Sequence, residues 1–135
     1  MTIVDVLKRG AGYTNTDEAA KEMLADFSDH KVGMKLDNAE VTMVVKDGEV
    51  AIEDGMRDDC HAAMKMKDSD VCGAIDDSFD LMEIREKGEI IKGDMNDPNI
   101  AVHFMATFPL FDAMVRLYED DPEFKNMVDD VKSSV

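Results

Sequence analysis

Three histidines, His30, His61 and His103, and two cysteines, Cys60 and Cys72, are the side chains of this sequence best suited to hold a metal ion or to act as nucleophile and base. Their spacing argues for neither role. Zinc ligands usually come in closely spaced pairs, and no HxH or HxxxH pair occurs here. Cys60 and His61 are adjacent, but neighbours on a strand point to opposite faces, so they do not pair as nucleophile and base. Serine is scarce, no GxSxG turn is present, and the glycines form neither GxGxxG nor a P-loop. The two cysteines make no disulfide framework and read as reduced, half-buried thiols. The expectation is therefore no catalytic residue, no metal ligand and no cofactor. A different outcome, in which folding gathers the distant histidines and aspartates into a small enzyme site, stays open.

One acidic run imitates a calcium loop. Asp68, Asp70, Gly73, Ile75 and Asp76 match its first, third, sixth, eighth and ninth positions, but the twelfth, a bidentate glutamate in such loops, is Phe79. These aspartates read instead as helix capping.

A chain of 135 residues, 44% hydrophobic and 34% charged, can bury a core as one domain over 1–135 without disulfides or metal. Asn96, Asp97, His103 and Asp112 interrupt the most apolar stretch before it reaches the ~18 residues of a membrane span, so no stable membrane insertion is expected. The N-terminal MTIVDVLKRGAGYTN has no basic region followed by an apolar block, and the expected location is cytoplasmic. The formal charge is −16 with no lysine- or arginine-rich cluster, which excludes nucleic acid as a partner and disfavours anionic membrane surfaces.

The elements that must position any site can be read from hydrophobic periodicity. Residues 1–15 are weakly patterned and are expected to form a weakly ordered arm. Thr16-Asp17-Glu18 opens a helix with Ala20, Met23, Leu24 and Phe27 on one stripe. From Lys31 the period becomes two: Val32, Met34 and Leu36, then Val41, Met43 and Val45, then Val50 and Ile52. Asp47-Gly48 is a type I′ hairpin signal. With it as a two-residue loop, Val45 faces Val50 and Met43 faces Ile52. With Asp37-Asn38 as the preceding loop, Met34 faces Val41 and Val32 faces Met43, so one face is apolar throughout. A fourth strand is expected over Cys60–Met66. A helix opened by Asp68-Ser69-Asp70 carries Val71, Cys72, Ile75, Phe79 and Met82 toward Gly88, and GEIIKGDM supplies a fifth strand. Asp97-Pro98 starts another helix, Pro109 breaks it, a last helical piece runs to about Tyr118, and the tail adds about one more turn. The chain also carries 12 methionines, whose flexible thioethers fill irregular cores or line adaptable pockets.

This order of elements, with KDGEVAIEDG in the meander, Asp58-Asp59 before the fourth strand, DSD opening a helix and then GEIIKGDM, resembles the sterol-carrier-protein type 2 domain. Ile91-Lys92-Gly93-Asp94-Met95 matches the second half of that family's G-K-L-K-I-K-G-D-M segment, and Asp59 with Ala62–Met66 is similar to its preceding strand. The resemblance spans roughly Ala19 to Met114. It implies an α+β fold, a mostly antiparallel five-stranded sheet with helices packed on one face, enclosing an apolar cavity for fatty acids, sterols or other lipids. On that resemblance, together with the apolar stripes, Ile75, Phe79, Met82, Ile91, Phe104, Phe108, Phe111 and Met114 are the expected lining. The expected function is non-catalytic binding of a hydrophobic small molecule, as carrier or sensor. The alternative is a dimerising or partner-binding module whose extra apolar surface over Phe104–Tyr118 is an interface.

Overall fold

In a computed structural model, which describes residues 2–27, 29–78, 88–93 and 97–134, a five-stranded sheet of order β3-β2-β1-β4-β5 shares its core with a layer of helices. The strands are β1 (His30–Lys35), β2 (Glu40–Lys46), β3 (Glu49–Asp54), β4 (Ala62–Lys65) and β5 (Glu89–Lys92). The helices are α1 (Ile3–Thr14), α2 (Glu18–Leu24), α3 (Asp68–Ile75), α4 (Pro98–Met105), α5 (Phe108–Asp120) and α6 (Pro122–Ser133).

Both hairpin registers follow the apolar pattern: Val32 pairs with Met43, Met34 with Val41, Met43 with Ile52 and Val45 with Val50. Asp47 and Gly48 both take positive φ, 55° and 77°, as a type I′ turn requires. After β3 the chain does not continue the meander. It crosses to the far side of β1, where β4 runs parallel to β1 with Val32 opposite Ala62 and Met34 opposite Met64. β5 then pairs antiparallel with β4 across an irregularity at Ala63/Met64. The sheet is thus mixed, with one parallel pair among antiparallel ones. β4 itself is shorter than expected, Ala62–Lys65 rather than Cys60–Met66.

One sheet face, carrying Val32, Met34, Val41, Met43, Val45, Val50, Ala62 and Met64, joins the core with α1, α3, α5 and α6. On the opposite face the 55–57 turn folds over the centre. Thr42 donates its hydroxyl to the Gly55 carbonyl (2.8 Å) and accepts from the Arg57 N–H (2.9 Å), so this buried polar side chain is satisfied. Met56 leans so close to Gly33 that a Cβ there would meet its Cγ at 2.9 Å.

The first and last described segments are both helical where the sequence suggested an arm and a single turn. Where an arm was expected, Ile3–Thr14 form α1, which begins with a reciprocal capping box, Asp5 N–H to Thr2 Oγ1 (3.4 Å) and Thr2 N–H to Asp5 Oδ2 (2.9 Å). Its Ile3, Val6, Leu7 and Ala11 are buried at helical spacing, each worth about 1–3 kcal/mol of transfer free energy depending on size. Beyond α1, the Asn15 amide bonds both the N–H and the carbonyl of Val50 (2.8 and 2.9 Å), occupying the free edge of β3. The tail is a full helix, α6, and not one extra turn, because Phe124, Met127, Val128 and Val131 form a buried stripe. Asp121 caps it and is gripped by Arg9 of α1 at 2.8 Å.

Two helix starts differ in detail. Asp17, not Thr16, caps α2, accepting from the Ala20 N–H at 3.0 Å. Lys67 occupies the N-cap of α3 with no side-chain bond. Asp68 instead exchanges carboxylate-to-backbone bonds with Asp37, 3.3 and 2.9 Å, tying the β1–β2 loop to α3. α3 stops at Ile75, short of the expected run toward Gly88: Asp76 is its C-cap and Asp77 takes a positive φ of 64°, which a continuing helix does not allow, while residues 79–87 lie outside the described residues. The proline rules hold where they can be seen. Ala101 N–H bonds the Asp97 carbonyl (3.3 Å) as α4 begins at Pro98, and Pro109 separates α4 from α5.

Candidate functional site

The residues expected to line a cavity are only partly brought together. Ile75 of α3, Phe104 of α4, and Phe111 and Met114 of α5 are buried in one continuous core cluster. Phe108 is half-buried at the start of α5. Ile91 lies apart from that cluster: it is 44% exposed, because opposing Ile90 to Met64 in the β4–β5 register turns Ile90 inward and Ile91 outward. Phe79 and Met82 lie outside the described residues. A cleft of about 490 Å³ opens where β1 and β4 end. It is lined chiefly by Lys35, Lys65, Lys67, Asp37 and Glu89 and, among the described residues, by none of the expected apolar ones.

The apolar spread of Phe104–Tyr118 has a local explanation. α5 packs against α1, α2, α3 and α6, so Leu110, Phe111, Met114 and Leu117 are all buried within the chain. α1 and α5 approach closely at Gly10, where a Cβ would fall 2.3 Å from Met114 Sδ. Arg116 leaves the same helix to bond Asp17 at the α2 cap and Asp112 one turn back, and these carboxylates raise its already high pKa. Cys60 and Cys72 are free and buried, and burial pushes the Cys72 thiol up to about 11, so it is protonated and unreactive at neutral pH.

At the opposite end of the parallel pair the structure does what spacing alone did not foretell. β1 begins with His30, β4 is preceded by His61, and the parallel register sets these two starts side by side. His103, near the end of α4, comes down onto them. His30 Nδ1 is 2.6 Å from His103 Nδ1, and one ligand-capable atom from each of the three rings lies within 4.8 Å of the others. The His61 and His103 rings stack, with centroids 4.5 Å apart and planes 17° apart, while His30 meets His103 edge-on at 4.8 Å and Phe27 at 5.6 Å. His30 is buried, His103 half-buried and His61 exposed, so the cluster is roofed on one side and open on the other. The His61 Nδ1 accepts from the Lys31 N–H (3.1 Å), and the His61 N–H donates to the Lys31 carbonyl (2.8 Å). Burial, with the neighbouring rings, lowers the pKa of His30 and of His103, while Asp29 and Asp97 respectively pull the other way. The short Nδ1–Nδ1 contact requires one nitrogen to donate and the other to accept.

No protein-family model matches the sequence, and no curated protein matches it. Solved structures do resemble it. A protein described as "UbiJ-SCP2 Ubiquinone synthesis protein" superposes with a TM-score of 0.52 at 16% identity, over 82% of this chain and 85% of its own. A Thermus thermophilus protein, described as conserved, hypothetical and a candidate sterol carrier protein, superposes with a TM-score of 0.58 at 11% identity, over 84% and 86%. At these identities the likeness speaks for the fold. The α+β architecture and the mixed five-stranded sheet are those of the sterol-carrier-protein type 2 domain, the fold that this chain adopts.

Proposed function

We propose that the chain binds a lipid-like or other hydrophobic small molecule between its sheet and its helical layer, as a non-catalytic carrier or sensor in the cytoplasm. The observation that carries this reading is the shared fold with a protein described as a candidate sterol carrier. The chemistry is consistent with it. Ile75, Phe104, Phe111 and Met114 belong to one apolar core shared by sheet and helices, and Met34, Met43, Met64 and Met114 place adaptable thioethers in it. About ten methylenes moved from water into such a surface contribute ~8 kcal/mol before the cost of association, the scale of a micromolar complex or weaker.

Native mass spectrometry of the freshly purified chain, followed by organic extraction, tests the reading. A reproducible adduct that extracts as a fatty acid or lipid is the expected result. A clean apo mass that also fails to take up a titrated fatty acid would overturn it.

A further inference from the structure

We propose that His30, His61 and His103 form a binding site for one divalent transition-metal ion of the zinc class, with its remaining coordination position open to solvent beside His61. This goes beyond the lipid-binding reading and does not depend on it.

The geometry is the main argument. Three imidazoles from β1, from the approach to β4 and from α4 converge so that a nitrogen of each lies within 4.8 Å of the others. Zinc–imidazole bonds of 2.0–2.1 Å in a tetrahedral site place ligand nitrogens roughly 3.3 Å apart. Side-chain rotations close the wider separation. His30 and His103 must part slightly from their 2.6 Å contact, in which the two nitrogens share one proton. Replacing that shared proton with a metal ion keeps both nitrogens facing it.

Proton bookkeeping allows this without extreme conditions. In the arrangement seen, the Lys31 N–H bond to His61 Nδ1 puts the His61 ring proton on Nε2. Ligation through Nε2 moves that proton to Nδ1 and releases the Lys31 bond. Between His30 and His103, the proton at Nδ1 moves to the Nε2 of the same ring, so both Nδ1 lone pairs become available. No net proton is lost, because all three rings start and finish neutral.

Ligand type and charge select the ion. An all-imidazole set suits zinc, nickel, copper or iron and disfavours magnesium and calcium, which prefer oxygen. The carboxylates of Asp29 and Asp97 act on His30 and His103 with the sign that stabilises a nearby cation, within a chain of formal charge −16. Exposure of His61 leaves ion and water a way in.

The test is equilibrium dialysis of the untagged, chelator-treated full chain against Zn²⁺ in millimolar Mg²⁺, which occupies non-specific carboxylates, with metal analysis of the protein. One Zn²⁺ per chain is expected. His61→Ala, an exposed position, should weaken binding by at least about tenfold while the chelated protein still unfolds cooperatively. His103→Ala should do the same to binding. Absence of a saturable site under these conditions overturns the proposal, as does full retention of zinc by both variants.

Discussion

His30 Nδ1 stands 2.6 Å from His103 Nδ1 although 73 residues separate the two in sequence. Such a contact exists only while at least one ring is neutral, since two imidazolium ions have no lone pair to share. It therefore couples the start of β1 to the end of α4, and makes that junction sensitive to protons.

The sign of that sensitivity follows from the direction of the shifts. In the folded chain His30 and His103 titrate below their ordinary 6.5, through burial first and then the neighbouring rings, with Asp29 and Asp97 opposing. The unfolded chain returns to about 6.5 and binds protons first as pH falls. Stability is thus complete above about 6.5 and declines as the pH drops through the lowered folded values, then levels off. Melting temperature followed from pH 8 to 5 should fall, and His103→Gln should flatten the upper part of that fall. Parallel profiles for the two proteins would refute the assignment.

Gly10 and Gly12 sit on the same helix and should respond oppositely to alanine. A Cβ at Gly10 meets Met114 Sδ at 2.3 Å and Cγ at 2.5 Å, whereas one at Gly12 meets nothing within 4 Å. Overpacking costs about 1–3 kcal/mol, more than the ~1 kcal/mol that alanine contributes to helix propensity. Gly10→Ala should therefore be destabilising by up to about 2 kcal/mol and Gly12→Ala stabilising by about 0.5–1 kcal/mol in urea denaturation. Equal effects would mean that α1 does not pack on α5 as described.

Asp17 combines two roles that substitution can separate. Its carboxylate caps α2 through the Ala20 N–H (3.0 Å) and also receives the Arg116 guanidinium, which chiefly holds its pKa below the usual range. Asparagine keeps the cap and loses the charge. Asp17→Ala should cost about 1–2 kcal/mol and Asp17→Asn less than about 1 kcal/mol, by urea denaturation. If Asp17→Asn costs as much as Asp17→Ala, the ion pair and not the cap carries the effect.

Some signals are present in the sequence but masked by their neighbours. Ile3, Val6, Leu7 and Ala11 already have helical spacing behind Thr2 and Asp5, but the glycines at 10 and 12 obscure the pattern. Asp121-Pro122 repeats the cap-then-proline signature of Asp97-Pro98, and Phe124, Met127, Val128 and Val131 follow it at helical spacing. Ile91 is ambiguous for a different reason. In EIIK either isoleucine could face inward, and only the pairing with β4 decides which one does.

By itself the sequence determined what is local. Alternation of apolar residues with Asp47-Gly48 set the β1–β2–β3 register, because a slip of one residue would turn a whole apolar face to water. Proline set the helix breaks, because it lacks the N–H that an interior turn needs. Tertiary structure alone decided the crossover of β4 to the far side of β1. Parallel pairing brings two strand starts to the same end of the sheet, so His30 meets His61, and α4 then lowers His103 onto both. No spacing rule encodes that meeting, because it depends on which strand becomes the neighbour of which, a choice made by burial of the whole sheet face rather than by any short stretch of chain.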